Sequence, residues 1–198
     1  MTTEAGFYDE AMVAEDAPAM VPLEDSPWLL LYEEAGRWIP PNHHVVDLGC
    51  GTGRFMHLLR WRNHYGPLTG IDFSPETLTE AGRYLFESGI ADVALVCDDL
   101  RSWQPEVGRL GATTYVCLEV LEHLEDDLDL IKRVPPGHQL VLSVPNYESE
   151  AHLRVFRGAG DVFDRYSPLL ELRRWSLIEL GGGKAIHLID ARRRSDSW

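Results

Sequence analysis

The chain has 198 residues, a length that accommodates one α/β core and is too short for a substantial second one. Its 32 acidic and 18 basic residues give a formal net charge of −14, which argues against a nucleic-acid partner, because proteins that bind DNA or RNA gain affinity by neutralising phosphates. No apolar stretch approaches the roughly 20 residues needed to span a bilayer, so we expect no membrane partner.

The N-terminal region predicts an acidic arm followed by a helix. The arm is rich in acids, contains two prolines and lacks sustained periodicity. From Pro27 to Trp38, apolar residues recur at helical spacing, and Ser26 directly before them is the expected N-cap. We assign residues 1–38 to this arm and helix, and residues 39–198 to the main domain.

Three glycines at alternate positions follow the first predicted strand. Residues 45–54 read Val-Val-Asp-Leu-Gly-Cys-Gly-Thr-Gly-Arg. Glycine accepts positive φ and lets a ligand approach the backbone, so this loop predicts a small-molecule site, with a tight βα turn as the plainer alternative. A dinucleotide loop needs G-x-G-x-x-G, but the third glycine would fall on Arg54 or Met56. The lysine and hydroxyl pair of a P-loop is also missing.

Strand and helix patterns alternate after this loop. The predicted strands are Val45 to Leu48, Leu68 to Asp72, Val93 to Cys97, Ala112 to Leu118 and Gln139 to Val144. The predicted helices are Arg54 to His64, Pro75 to Ser88 and Asp126 to Arg133. Such alternation predicts a parallel sheet with helices on both faces. Two final strand-like runs, Leu169 to Leu180 and Lys184 to Arg192, flank three glycines and predict an antiparallel hairpin.

An acid also ends the second predicted strand. Asp72 lies about twenty residues beyond the glycines, where a carboxylate can accept hydrogen bonds from a ribose diol. Ser74, with Pro75 after it, is the better N-cap for the next helix, so we expect Asp72 to be available for a ligand.

These features resemble the class I S-adenosylmethionine (SAM) dependent methyltransferases over Val45 to Arg192. The phrase Asp-x-Gly-x-Gly-x-Gly is similar to the family's motif I, and Asp98-Asp99-Leu100 is similar to its adenine-binding corner, with Asp99 favoured over Asp98. The resemblance implies a Rossmann-like, doubly wound α/β sheet of seven strands, mostly parallel with a C-terminal antiparallel hairpin. It also implies SAM as cofactor, bound by Asp47, Gly49, Gly51, Gly53, Asp72, Phe73, Asp99 and Leu100.

A second motif follows the fourth predicted strand. Glu119-Val-Leu-Glu-His, with His152 farther on, resembles the branch that includes ubiquinone-biosynthesis O-methyltransferases and enzymes that methylate the terminal ribose of small RNAs. In the RNA enzymes this pattern binds a divalent metal, and a hard cation such as Mg²⁺ or Mn²⁺ lowers the pKa of a bound hydroxyl. Carried over, the metal ligands would be Glu119, Glu122, His123 and His152. The alternatives are a general base at His123 or His152, or a purely structural role.

Two further parts of the chain are candidates for ligand contacts. The leader helix of this family often folds over the cofactor pocket, so residues 1–38 include a lid, with Phe7 and Tyr8 as its candidates. Arg154 and Tyr166 join His152 as candidates for the acceptor surface.

We therefore expect a SAM-dependent methyltransferase that acts on a small-molecule acceptor at oxygen, with His123, Glu119 and His152 as the catalytic residues. SAM carries an activated sulfonium, so the enzyme mainly has to place the acceptor in line with the methyl group at about 3 to 3.5 Å. An N- or C-methyltransferase of the same fold and a non-catalytic SAM-binding protein are the alternatives. The missing third glycine disfavours an NAD oxidoreductase.

The cysteines and the N-terminus predict a cytoplasmic protein. Cys50, Cys97 and Cys117 are odd in number and lack C-x-x-C spacing, so we expect reduced thiols. The N-terminus is acidic and lacks the basic and apolar regions of a secretory signal.

Overall fold

A computed structural model describes residues 21–64, 66–106 and 112–195 of the chain. The candidate lid residues Phe7 and Tyr8 lie outside these ranges. The chain divides into two compact units, Met1–Leu100 and Arg101–Trp198.

Within the described residues, seven strands form a single mixed sheet. They are β1 (His44–Leu48), β2 (Leu68–Asp72), β3 (Val93–Cys97), β4 (Thr113–Cys117), β5 (Gln139–Pro145), β6 (Leu170–Gly181) and β7 (Lys184–Arg193). Their order is β3-β2-β1-β4-β5-β7-β6. The pairs β1–β2, β2–β3 and β4–β5 are parallel, whereas β7 runs antiparallel to both β5 and β6. The expected seven-stranded Rossmann-like sheet with a C-terminal antiparallel hairpin is confirmed.

Every residue of β1 and β2 is buried, as is all of β5 after its first residue. Strands covered on both faces are rich in apolar residues, and these residues allowed the sequence patterns to locate the strands to within about a residue. Among the described residues, no helix is both long enough and apolar enough to cross a bilayer.

The helices of the first unit are α1 (Leu29–Trp38), α2 (Arg54–Trp61) and α3 (Pro75–Glu87). The expected N-cap of α3 is confirmed, because the Thr77 N–H donates to Ser74 Oγ at 3.0 Å. The expected N-cap of α1 is wrong. The chain enters α1 from a 3-10 turn at Leu23–Asp25, and Ser26 Oγ accepts from the Trp28 N–H, so Ser26 closes the turn before the helix.

The second unit contains α4 (Asp127–Arg133), α5 (Ala159–Tyr166) and a 3-10 turn at Leu121–His123. The sequence patterns did not predict α5. This helix has only eight residues, contains a glycine and has no side chain that caps its N-terminus, so it lacks the usual local signals. Its position is set by burial of Val162 and Tyr166, which lie four residues apart on one face.

Candidate functional site

The three glycines after β1 form a loop whose backbone strongly favours glycine. Gly49, Gly51 and Gly53 have φ values of 81°, 51° and 79°, a left-handed region that costs other residues conformational energy. The N–H groups of Gly49 and Cys50 both donate to the carbonyl of Ile71, at 2.8 and 2.9 Å. The loop is therefore tied to the carboxyl end of β2, and its last glycine leads directly into α2.

The carboxylate of Asp72 closes the same loop. Its Oδ2 accepts from the Gly51 N–H at 3.0 Å and its Oδ1 accepts from the Ser74 N–H at 3.1 Å. Contrary to our expectation, Asp72 therefore already has protein partners, even though Ser74 caps α3. Each carboxylate oxygen carries two lone pairs, so Asp72 can accept further hydrogen bonds from a bound diol.

Asp47 lies at the end of β1 and is almost fully buried. Burial, and secondarily the nearby charge of Asp72, raises the pKa of its carboxyl to about 7. Asp47 is therefore partly protonated at neutral pH, which reduces the repulsion between two acids that flank the glycine loop.

Gly70, in the middle of β2, is a residue that the sequence analysis missed. A Cβ there would lie 2.6 Å from Met56 Cε and 2.8 Å from Cys50 Sγ. Only glycine lets β2 pack this closely against the loop and the start of α2. A glycine inside a strand pattern was the available signal.

Asp98 and Asp99 follow β3, and Asp98 has a local structural role. Asp98 Oδ1 accepts from the Asp99 N–H at 2.9 Å, so the Asp98 carboxylate stabilises its own turn. The Asp98 N–H in turn donates to the carbonyl of Asp72 at 3.0 Å, which joins the ends of β2 and β3. Next to them, Leu100 is buried and Phe73 is 38% exposed. All eight expected cofactor residues lie in the first unit.

Glu119 begins the second group of candidate residues. It has a φ of 56°, which is uncommon for a residue other than glycine and indicates local strain. The Ser143 hydroxyl holds it in this conformation by accepting from the Glu119 N–H and donating to Glu119 Oε1, each at 2.8 Å. Burial raises the Glu119 pKa to about 7, opposed by hydrogen bonds from Ser143 and Tyr147.

Three of the four expected metal ligands come together in the second unit. Glu122, His123 and His152 each have a potential ligand atom, and these three atoms lie within 4.8 Å of one another. Both Glu122 carboxylate oxygens are buried, and no described residue forms a hydrogen bond with them. Burial, and then the nearby Glu119 charge, raises the pKa of Glu122 well above its ordinary value. Glu119 itself lies outside this triad.

The two histidines of this triad are oriented by backbone carbonyls. His123 Nδ1 contacts the carbonyl of Ala151, and His152 Nδ1 contacts that of Tyr147, each at 3.0 Å. A carbonyl only accepts, so each Nδ1 carries the hydrogen and each Nε2 keeps a lone pair. Burial lowers the pKa of both rings, which favours this neutral form. The Glu122 carboxylate lies 3.8 Å from His123 Nε2 and accepts no hydrogen bond from the described residues. Such a carboxylate beside two carbonyl-oriented imidazoles fits a divalent cation.

The expected acceptor contact of Tyr166 is wrong, whereas that of Arg154 stays a prediction. Tyr166 has no exposed surface and donates its hydroxyl hydrogen to Asp127 at 3.0 Å. Arg154 donates to main-chain carbonyls on both sides of the Glu122 and His123 pair. The Tyr166 side chain points into the protein because the buried Asp127 carboxylate requires hydrogen-bond donors. The Arg154 side chain keeps 19% of its surface exposed.

Comparison with known proteins finds relatives among methyltransferases. Residues 45–134 match the family model of a methyltransferase domain. A ubiquinone biosynthesis O-methyltransferase of Coxiella burnetii is 31% identical over 125 residues, which cover 61% of this chain and 51% of that protein. A trans-aconitate 2-methyltransferase of Escherichia coli is 43% identical over 104 residues, covering 52% and 39% respectively. The chain thus spans about half the length, or less, of these curated relatives.

Solved structures show the same fold at lower identity. The N-methyltransferase NodS of Bradyrhizobium japonicum, in complex with S-adenosylhomocysteine (SAH), has a TM-score of 0.71 and 18% identity, covering 96% of this chain and 97% of its own. The [4+2]-cyclase SpnF has a TM-score of 0.66 and 16% identity, covering 83% and 81%. The matched family model and the curated relatives show a class I SAM-dependent methyltransferase domain that includes residues 45–134, and the solved structures show its fold.

Proposed function

We propose that the protein transfers a methyl group from SAM to a hydroxyl oxygen of a small molecule, and that Glu122, His123 and His152 hold a Mg²⁺ or Mn²⁺ ion. One observation carries the metal assignment. The Glu122 carboxylate is fully buried, has no hydrogen-bond partner among the described residues and lies beside two carbonyl-oriented imidazoles. A buried carboxylate without a partner is costly, and a bound cation would offset that cost.

Residues of the first unit favour SAM as the methyl donor. Asp72 and Asp99 follow two neighbouring parallel strands, and open α/β sheets bind ligands at the carboxyl ends of their strands. In this proposal Asp72 accepts from the ribose diol, and Asp99 accepts from the adenine amine. Gly49, Gly51 and Gly53 let the cofactor approach the backbone.

Two observations support a small acceptor. The curated relatives carry names of enzymes for ubiquinone biosynthesis and for trans-aconitate, which are small molecules. The net charge of −14 disfavours a polyanionic acceptor such as RNA. The name of the Coxiella relative also supports oxygen as the accepting atom.

The protein must orient the acceptor and remove its proton, because the sulfonium of SAM is already activated. When bound, the cation would lower the pKa of an acceptor hydroxyl. Glu119, whose pKa is about 7, is suited to accept the proton, since a general base works best near the operating pH. Ser143 and Tyr147 hold its carboxylate in place.

N-methylation is a second candidate, because NodS is an N-methyltransferase of the same fold. An amine acceptor needs only to be neutral, and the neutral forms of His123 and His152 would suffice as bases without a metal. The two candidates therefore differ in their dependence on a divalent ion.

The decisive experiment is methyl transfer from labelled SAM to a panel of small phenols, hydroxy acids and amines, with EDTA and with Mn²⁺ added back. We expect transfer to a hydroxyl that EDTA abolishes and Mn²⁺ restores. Glu122→Gln should abolish methyl transfer, and added Mn²⁺ should not restore it. Glu125→Gln, which changes an exposed acid three residues away, should behave as wild type. Transfer to amines that EDTA leaves unchanged would favour N-methylation. SAM binding without transfer to any acceptor would instead favour a binding protein.

A further inference from the structure

We propose that Arg154 is a positioning residue that holds the Glu122 and His123 turn against the segment carrying His152. This inference rests on the proposed function, because it concerns the residues assigned to the metal. Its own support is a set of hydrogen bonds and an ion-pair network that neither the methyl donor nor the acceptor needs to contact.

The guanidinium of Arg154 joins two separate parts of the second unit. It donates to the carbonyls of Leu121 at 2.7 Å and Glu125 at 3.2 Å, and also to the carbonyl of Leu124. These carbonyls flank Glu122 and His123 on both sides. Because Arg154 is two residues from His152, one side chain links the turn that carries two proposed ligands to the segment that carries the third.

Two further hydrogen bonds join the same two segments directly. The Leu153 N–H donates to the Glu122 carbonyl at 2.8 Å, and His123 Nδ1 donates to the Ala151 carbonyl. The imidazole rings of His123 and His152 lie 4.9 Å apart, edge to face. The positions of the three ligands therefore depend on how closely the two segments are held together.

Asp127 fixes the guanidinium in turn. Its carboxylate has no exposed surface and lies 3.5 Å from Arg154 Nη1. The same carboxylate accepts from Arg165 Nε at 2.8 Å, from Arg165 Nη2 and from the Tyr166 hydroxyl. Thus α5, through Arg165 and Tyr166, and the first turn of α4, through Asp127, orient the residue that holds the ligand turn.

The geometry requires arginine specifically. A guanidinium offers five donors in a rigid planar fork, which suits three carbonyls and a carboxylate in different directions. The ammonium of lysine has three donors on a flexible stem and cannot span the same set. Substitution of Arg154 leaves Asp127 with Arg165 and Tyr166, so the buried carboxylate keeps partners and the variants should fold.

The test compares Arg154→Lys and Arg154→Met with Arg157→Met, a control three residues away whose side chain is 82% exposed and 3.9 Å from Glu148. Binding of Mn²⁺ alone is measured by electron paramagnetic resonance, and SAH affinity by calorimetry. We expect both Arg154 variants to bind Mn²⁺ about 10- to 100-fold more weakly, as for other residues that orient metal ligands. Their SAH affinity should stay within about twofold of wild type, because Arg154 is not one of the residues proposed to bind the cofactor. Arg154→Lys keeps the positive charge. If both variants lose Mn²⁺ affinity, the planar guanidinium with its several donors is required, and not the charge alone.

A second measurement separates this inference from the metal assignment. A nuclear Overhauser effect between the ring protons of His123 and His152 should be present in wild type and Arg157→Met and weakened in both Arg154 variants. Wild-type Mn²⁺ affinity and an unchanged Overhauser effect in the Arg154 variants would overturn the inference. Failure of the wild-type protein to bind Mn²⁺ would overturn the metal assignment alone, and the Overhauser effect would then decide the role of Arg154.

Discussion

The carboxylate of Asp72 accepts a hydrogen bond from the backbone N–H of Gly51, with 3.0 Å between Oδ2 and the nitrogen. These residues are 21 positions apart, at the ends of neighbouring strands. One side chain thus has two tasks: it braces the glycine loop, and in our proposal it accepts hydrogen bonds from the cofactor ribose. Loop geometry and cofactor affinity should therefore change together when Asp72 is altered.

Asp72→Ala tests this coupling. We expect the variant to bind SAH more weakly by roughly 1.5 to 3 kcal/mol, the usual loss for hydrogen bonds to a charged group. Calorimetric titration with SAH measures the change. Glu87→Gln, at an exposed position on α3, serves as the control and should bind normally. Unchanged SAH affinity in Asp72→Ala would refute the ribose assignment.

Gly70→Ala tests the close packing of β2 against the loop. The added methyl group would lie 2.6 Å from Met56 Cε, so the core must shift, and we expect the free energy of unfolding to fall by about 1 to 3 kcal/mol. Urea titration followed by circular dichroism measures this loss. Gly160→Ala is a matched control in α5, where an added Cβ meets nothing within 4 Å, and it should be neutral or slightly stabilising. Equal stability of both variants would contradict the packing explanation.

The buried acid Asp47 should make stability depend on pH. Its pKa is about 7 in the folded protein, against 3.8 when unperturbed, so the folded state holds its proton more tightly than the unfolded state. The resulting stabilisation is present below pH 4 and is lost as the pH rises to about 7. We expect wild type to lose up to about 4 kcal/mol more than Asp47→Asn between pH 4 and 7. If urea titrations show that wild type and Asp47→Asn lose the same stability between pH 4 and 7, Asp47 does not cause the pH dependence.

Ser143→Ala should shift the pH dependence of methyl transfer. The Ser143 hydroxyl donates to Glu119 and lowers the pKa of that carboxyl against the effect of burial. Loss of this donor should raise the Glu119 pKa, so the rising limb of the rate profile should move from about pH 7 to higher pH. Single-turnover rates across the pH range measure the shift. Ser176→Ala on β6 provides the control. If the rising limb of the pH–rate profile stays at the same pH in Ser143→Ala, Glu119 is not the base.

Much of the local structure of the first unit could be predicted because its signals are local. The glycine loop, the acid after β2 and the Ser74 N-cap each depend on residues within a short stretch of chain. Apolar runs located the buried strands, and the three glycines after β6 located the hairpin. Such patterns report backbone conformation and burial, which neighbouring residues largely determine.

The partners of individual side chains could not be predicted in the same way. Asp72 was expected to be available for a ligand, and it also accepts a hydrogen bond from Gly51. Arg154 was expected at the acceptor surface, and its guanidinium also joins the Glu122 and His123 turn to the segment that carries His152. Glu119 forms a hydrogen bond with Ser143, which is 24 residues away in the sequence, and Asp127 forms one with Tyr166, which is 39 residues away.

The sequence by itself determined the order of elements, the glycine loop and the residue types that flank the strand ends. Only the tertiary structure decided which of those residues meet: three of the four expected metal ligands converge, while Glu119 bonds to Ser143 and Tyr147. The reason is physical. Local periodicity specifies strands and helices, whereas the distance between two side chains depends on strand register and on how intervening segments such as α5 pack.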